Sequence, residues 1–166
     1  MAKKKFKVLF VCMGNTRRSP TAEGVFRAQA ESAGLADQLH IDSAGTHDYH
    51  IGDPPDARAA AAAARRGYNL NSLRGRQVGE KDFVEYDMIL AMDMENLSRL
   101  HDRCPPEQAH KLGLFLEHSK NFLQREVPDP YYGGTGGFET VLDMAEDAGV
   151  GLLEHIRRNL TETPRR

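Results

Sequence analysis

Tryptophan is missing from this chain, cysteine occurs only twice, and aromatic residues make up 7% of it. Cys12 and Cys104 can close at most one bridge, which excludes a disulfide-stapled scaffold and points to a reducing compartment, the cytoplasm. Charge of one sign is also lacking: 22 Lys and Arg face 24 Asp and Glu, for a net charge of -2. That balance excludes bulk attraction to nucleic acid. No apolar run approaches the roughly 20 residues that cross a bilayer, so no membrane partner is expected. The basic start, Met1-Ala2-Lys3-Lys4-Lys5-Phe6-Lys7, is like that of a secretion signal, but the apolar stretch behind it stops near Met13 with no cleavage-site pattern. Its lysines are expected to solvate an edge strand. With 166 residues, 28% of them charged and 40% hydrophobic, a single domain spanning 1–166 is the expectation.

What is present is a local arrangement with chemistry in it. Val8-Leu9-Phe10-Val11 reads as a strand and runs into Cys12-Met13-Gly14-Asn15-Thr16-Arg17-Arg18-Ser19-Pro20, where a thiol and Arg18 lie six positions apart. A phosphate dianion needs many donors converging on one point, and a loop curling into a helix start offers backbone N–H groups and the positive end of the dipole. Gly14 and Asn15 tolerate the left-handed angles that turn successive N–H groups inward. Arg18 adds a planar fork matching two phosphate oxygens. The same surroundings favour the thiolate of Cys12, the nucleophilic form. Ser19 reads as the helix N-cap with Pro20 at the first helical position, and Ser19 is also a candidate donor to the sulfur. A merely structural cysteine ending a strand requires none of these companions.

Apolar runs at 7–11, 40–43, 87–92 and 111–115 read as buried strands, separated by segments with helical period or turn signals. The expected class is α/β, a three-layer sandwich with a central four-stranded parallel sheet flanked by helices. Ala22, Val25, Phe26, Ala30 and Ala33 recur at helical spacing, and Gly34 ends that helix. Pro54-Pro55-Asp56 starts a second helix, carried by alanines 59–64 and stopped by Gly67. Phe138, Val141, Leu142, Ala145, Gly149, Leu152, Leu153, Ile156 and Leu160 trace the stripe of a last helix, with a frayed tail at 161–166. In such sheets ligands bind beyond the carboxyl ends of the strands, where Cys12 sits.

A thiolate attacking a phosphate ester needs an acid to protonate the leaving oxygen. Asp129 is the candidate, in Val127-Pro128-Asp129-Pro130-Tyr131-Tyr132, a loop stiffened by two prolines and followed by aromatics able to flank a substrate ring. The other reading of this segment is a Pro-Asp-Pro turn whose tyrosines cover the end of the last helix.

Taken with Asp42-Ser43-Ala44-Gly45-Thr46, Gly52-Asp53-Pro54-Pro55-Asp56-Ala57-Arg58 and the segment 87–97, the two loops make the chain resemble the low-molecular-weight protein tyrosine phosphatases almost end to end. The resemblance implies a two-step hydrolysis. Cys12 takes the phosphoryl group while Asp129 protonates the phenolate, and Asp129 then acts as base toward the water that releases inorganic phosphate. Arg18 and the loop Met13, Gly14, Asn15, Thr16, Arg17 and Ser19 bind the phosphate, and Asn15 and Ser43 brace the loop. Tyr131, Tyr132 and Tyr49 form the cleft wall, Tyr49 having a surface loop aromatic as its other reading. Substrates would be phosphotyrosyl proteins or small aryl phosphates and the protein a monomer, with no cofactor. None of the seven histidines has metal-ligand spacing with a carboxylate or thiol.

Arg17 stands where many eukaryotic-type members carry a second cysteine that protects the nucleophile, and its alternatives are a charge favouring acidic phosphopeptides or a solvated surface arginine. Asp93 matches a carboxylate that supports the cradle, although 71–74 lacks the histidine some relatives place near it. Two rival functions share the scaffold: an arsenate reductase, whose thiol relay would have only Cys104 to draw on, and a non-catalytic phosphate-binding module, which would have no use for both thiol and acid.

Overall fold

The four apolar runs become four strands, β1 (Phe6–Cys12), β2 (Leu39–Gly45), β3 (Met88–Ala91) and β4 (Leu112–Leu114). The computed structural model describes residues 5–132 and 136–162, the side chains at 132, 161 and 162 excepted. Strand order is β2-β1-β3-β4 and all pairings are parallel. β1 therefore lies inside the sheet, not at its edge as its flanking lysines suggested. The reason is that Val8, Leu9, Phe10 and Val11 are fully buried, and a run apolar on both faces needs neighbours on both sides. Lys7 at its start is taken up by carboxylates, its N–H donating to Asp87 and its Nζ to Glu85.

Among the described residues, five α-helices cover the sheet: α1 (Ser19–Ser32), α2 (Ala57–Arg65), α3 (Glu80–Glu85), α4 (Met94–Arg103) and α5 (Gly137–Glu162). Side chains of β1 alternate between faces. Val8, Phe10 and Cys12 join a core with Phe26 of α1, Ala62 of α2 and Leu142 and Leu152 of α5, whereas Leu9 and Val11 join Phe83 of α3 and Leu100 of α4. The molecule is the expected three-layer α/β sandwich in one domain. Cys12 ends the strand flanked on both sides, which places its sulfur at the carboxyl edge of the sheet.

Sequence signals at the helix ends hold with two adjustments. Gly34 (φ 74) follows α1 and lets Leu35 N–H donate back to Ala30 O at 2.8 Å, the left-handed stop that glycine accepts without strain. α2 begins one residue after the Pro-Pro-Asp signal, with Asp56 as its N-cap accepting from Arg58 N–H at 2.8 Å. Ser19 and Pro20 are instead the first two residues of α1, and Arg18 holds the cap position; the Ser19 hydroxyl is not free to cap because it is engaged with Cys12 and Asn15. α5 is described to Glu162, and the fraying expected at 161–166 concerns side chains and residues outside the description.

Candidate active site

The segment after β1 is pinned on every side before it becomes α1. Thr46 N–H donates to Cys12 O at 2.9 Å, His47 N–H to Met13 O at 3.1 Å and Asp56 N–H to Thr16 O at 2.8 Å. The left-handed turn is made by Asn15 alone (φ 57); Gly14 does not share it, contrary to expectation. Gly14 matters instead for space, because a Cβ there would lie 3.1 Å from His50 Cδ2.

Asn15 is the hub of the loop. Its backbone N–H points at Cys12 Sγ (3.3 Å), and its amide nitrogen donates to Ser19 Oγ (2.8 Å) and Ser43 Oγ (3.0 Å). Its carbonyl oxygen accepts from Arg76 N–H at 3.0 Å. Those partners fix which way the amide faces. Ser43 then donates to Glu23 Oε1 at 2.7 Å. Ser19, accepting from Asn15, is left with its own hydrogen for Cys12 Sγ at 3.1 Å, the alternative acceptor, Ala44 O, being farther at 3.5 Å. The sulfur thus faces two donors. Glu23 is buried; burial pushes its carboxyl up, partly offset by the Ser43 bond and by Arg27. Sequence reading missed it, although an acidic residue four positions after Ser19 shares that residue's inward face of α1.

Arg18 is buried and braced through one nitrogen. Nη1 donates to Asp93 Oδ2 at 2.8 Å and to Val127 O at 2.9 Å. Nε and Nη2 have no protein acceptor among the described residues, so the fork keeps donors for an anion. Burial alone would lower its pKa, but the charge on Cys12, then the bond and charge of Asp93, outweigh burial and the guanidinium is raised above its ordinary value. Asp93 supports the cradle directly, with no histidine needed, while its Oδ1 caps α4 through Asn96 N–H at 2.7 Å.

The same arginine fastens the segment that carries Asp129, since Val127 also donates its N–H to Met92 O at 2.8 Å. Cys12, Met13, Gly14, Thr16, Arg17, Arg18 and Asp129 line one small pocket, although Cys12 and Asp129 are separated by more than a hundred residues. Asn15 and Ser19 lie behind it as braces. Arg17 is not the solvated surface arginine that was one of its readings, for it pairs with Asp129 and Asp56. At the rim, Tyr131 is 56% and Tyr49 65% exposed, the latter stacked on His47 at 4.9 Å between ring centres. The side chain of Tyr132 lies outside the description. A wider cleft of about 930 Å³ opens beside Arg18, Asp93 and Asp129.

A family model described as low molecular weight phosphotyrosine protein phosphatase matches residues 7–162. The chain belongs to this phosphatase family. It is 41% identical over 158 residues, 93% of this chain and 96% of the other, to a low molecular weight protein-tyrosine-phosphatase of Streptomyces coelicolor. It superposes with a TM-score of 0.91 and 38% identity on a protein tyrosine phosphatase of Entamoeba histolytica with Hepes in the active site, covering 94% of this chain and 99% of that one. The Drosophila arginine phosphatase DARP is also similar, with a TM-score of 0.83 and 31% identity over 92% and 98% of the two chains. In this low molecular weight phosphatase Arg17, not a second cysteine, follows Thr16 in the loop. Cys104 does not replace that thiol: α4 starts beside Arg18 and carries Cys104 to its far end, about 15 Å along the axis. Burial there pushes the Cys104 thiol up.

Proposed function

We propose that this protein hydrolyses aryl phosphate monoesters, phosphotyrosine in proteins among them, through a phosphocysteine on Cys12. The observation that carries this is one sulfur with two hydrogen-bond donors on it, in a pocket also lined by an arginine fork and a carboxyl group. The thiolate attacks phosphorus, the S–P bond forms as the P–O bond to the phenol breaks, and Asp129 gives its proton to the departing oxygen. Arg18 and the loop N–H groups hold the equatorial oxygens, where charge builds. Asp129, now ionised, takes a proton from the water that attacks phosphorus from the side opposite sulfur; as the new P–O bond forms the S–P bond breaks, its electron pair returning to Cys12 as thiolate, and inorganic phosphate leaves. Tyr131 and Tyr49 flank the ring. A nucleophilic thiol without a resolving partner suits the reducing cytoplasm.

The test is burst kinetics with trapping of a phosphoenzyme on p-nitrophenyl phosphate. Cys12→Ser is expected to abolish turnover while still binding inorganic phosphate, and Asp129→Ala to slow hydrolysis by about two to four powers of ten on substrates with basic leaving groups. Parent-like rates for both variants overturn the assignment. The likeness to DARP makes phosphoarginine the comparison substrate: a higher kcat/KM on it than on phosphotyrosine would move the substrate class while leaving the nucleophile in place. Arsenate-dependent consumption of reduced thioredoxin without ester hydrolysis would favour the reductase.

A further inference from the structure

Arg17 lies on the rim of the pocket and is committed elsewhere than to the substrate. Its side chain is 21% exposed, Nε donates to Asp129 Oδ1 at 3.2 Å and Nη1 lies 3.5 Å from Asp56 Oδ2. Its guanidinium carbon stands 4.8 Å from the centre of the Tyr131 ring. Each partner is held independently. Asp56 caps α2 and donates its own N–H to Thr16 O. Asp129 Oδ1 accepts a second bond, from Tyr131 N–H at 3.0 Å. Oδ1 therefore has two donors, and among the described residues Oδ2 is the oxygen that no protein N–H occupies.

We infer that Arg17 is a positioning residue for the reaction: by pinning Oδ1 of Asp129 against the cap of α2, it presents Oδ2 to the leaving oxygen. This rests on the acid role proposed for Asp129. In the first half-reaction the Oδ2 proton follows the electron pair of the breaking P–O bond onto the phenol oxygen. The carboxylate so formed stays beside the Arg17 charge until water returns a proton to it. Arg17 remains protonated throughout. A clasp from loop to helix cap to acid segment fixes the acid before substrate arrives, so none of the ordering is left to the encounter. The cation–π contact with the Tyr131 ring adds a third hold on the guanidinium.

The experiment compares kcat/KM on phenyl phosphate, whose leaving group needs a proton, with that on a dinitrophenyl phosphate, whose leaving group does not. Arg17→Gln is expected to lose about tenfold on the first and under about threefold on the second, a fraction of the acid's whole contribution. Arg17→Lys should recover part of the loss, since an ammonium reaches one carboxylate but cannot fork. In an Asp129→Asn background, Arg17→Gln should add nothing, the non-additivity expected of residues acting as a unit. Competitive inhibition by inorganic phosphate, read on each variant, should be unchanged and reports an intact cradle. Equal losses on both esters, an undiminished loss in the Asp129→Asn background, or weakened phosphate inhibition overturns the inference. Should Asp129→Asn itself show no dependence on the leaving group, the acid assignment falls and this inference with it, whereas a parent-like Arg17→Gln removes only the role of Arg17.

Discussion

Asn15 commits its backbone N–H and both ends of its side-chain amide, and the direction of its bonds propagates. Because its amide nitrogen gives hydrogens to both Ser19 and Ser43, each serine must send its own hydrogen onward, one to the sulfur and one to Glu23. Glu23 is the acceptor that ends the chain, and an acceptor that could also donate would let the whole row reverse. Burial pushes its carboxyl up from the ordinary 4.5. A carboxyl raised in the folded state contributes its stability below the unfolded value and loses it as pH climbs through the folded one, about 1.4 kcal/mol for each unit of rise. Glu23→Gln removes the titration, keeps an oxygen for Ser43 and adds an N–H. Urea unfolding between about pH 4 and pH 8 is expected to show the variant gaining on the parent as pH rises. Its kcat/KM should meanwhile fall roughly threefold to tenfold, about 0.7–1.4 kcal/mol of transition-state stabilisation. A stability difference that is flat with pH would mean that Glu23 does not titrate in this range.

Among the elements, the strands were legible because parallel strands covered on both faces are continuous apolar runs, and α5 because its stripe repeats over many turns. α3 and α4 left no such trace. α3 has six residues, and α4 (Met94–Arg103) buries only Asn96 and Leu100 fully, too few positions to set a period. The Cys12 loop was legible for the same reason that the strands were: its chemistry is contiguous. The bond between Arg17 and Asp129 spans 112 positions and is assigned by topology, which no local pattern carries. Element packing also sets a pH response. α5 passes so close to the turn at Phe115–His118 that a Cβ on Gly151 would lie 1.9 Å from His118 O. Burial first, then His155, holds the His118 pKa below its ordinary 6.5, against a smaller opposing pull from Glu117. A depressed histidine contributes stability that is present above the unfolded value and lost as pH falls through the folded one, because the charged form is disfavoured where it is packed. The parent is therefore expected to lose more of its melting temperature between about pH 7.5 and pH 5 than His118→Gln does. Parallel losses would show that His118 is solvated enough to charge freely.

For the molecule as a whole, α5 is a strut joining two ends with different duties. Its first turn meets the acid segment, where a Cβ on Gly137 would come within 3.1 Å of Pro130 Cα. Its last turns reach the opposite edge of the sheet, where His155 and Asn159 line a cavity with Phe6 and Leu112 at the beginnings of β1 and β4. Twenty-six residues at 1.5 Å each separate the ends by about 39 Å. The pocket, in contrast, is tied by bonds to Ser43 of β2, to Met92 just past β3 and to Asp56 and Asp93, the caps of α2 and α4, all at the carboxyl edge. Global stability and catalytic geometry should therefore come apart under mutation at the far end. Ile156 is fully buried in the core of the α1 and α5 face, and Ile156→Ala is expected to cost about 2–5 kcal/mol through lost burial and a residual cavity. At about 2–4 °C per kcal/mol for a chain of this size, the melting temperature should fall by roughly 4–20 °C. Far below that transition, kcat/KM on p-nitrophenyl phosphate should stay within about twofold of the parent, because nothing the substrate touches is moved. A large loss of kcat/KM in variant protein whose circular dichroism is native would show that α5 transmits its packing to the acid segment, and that the pocket depends on the strut along its whole length.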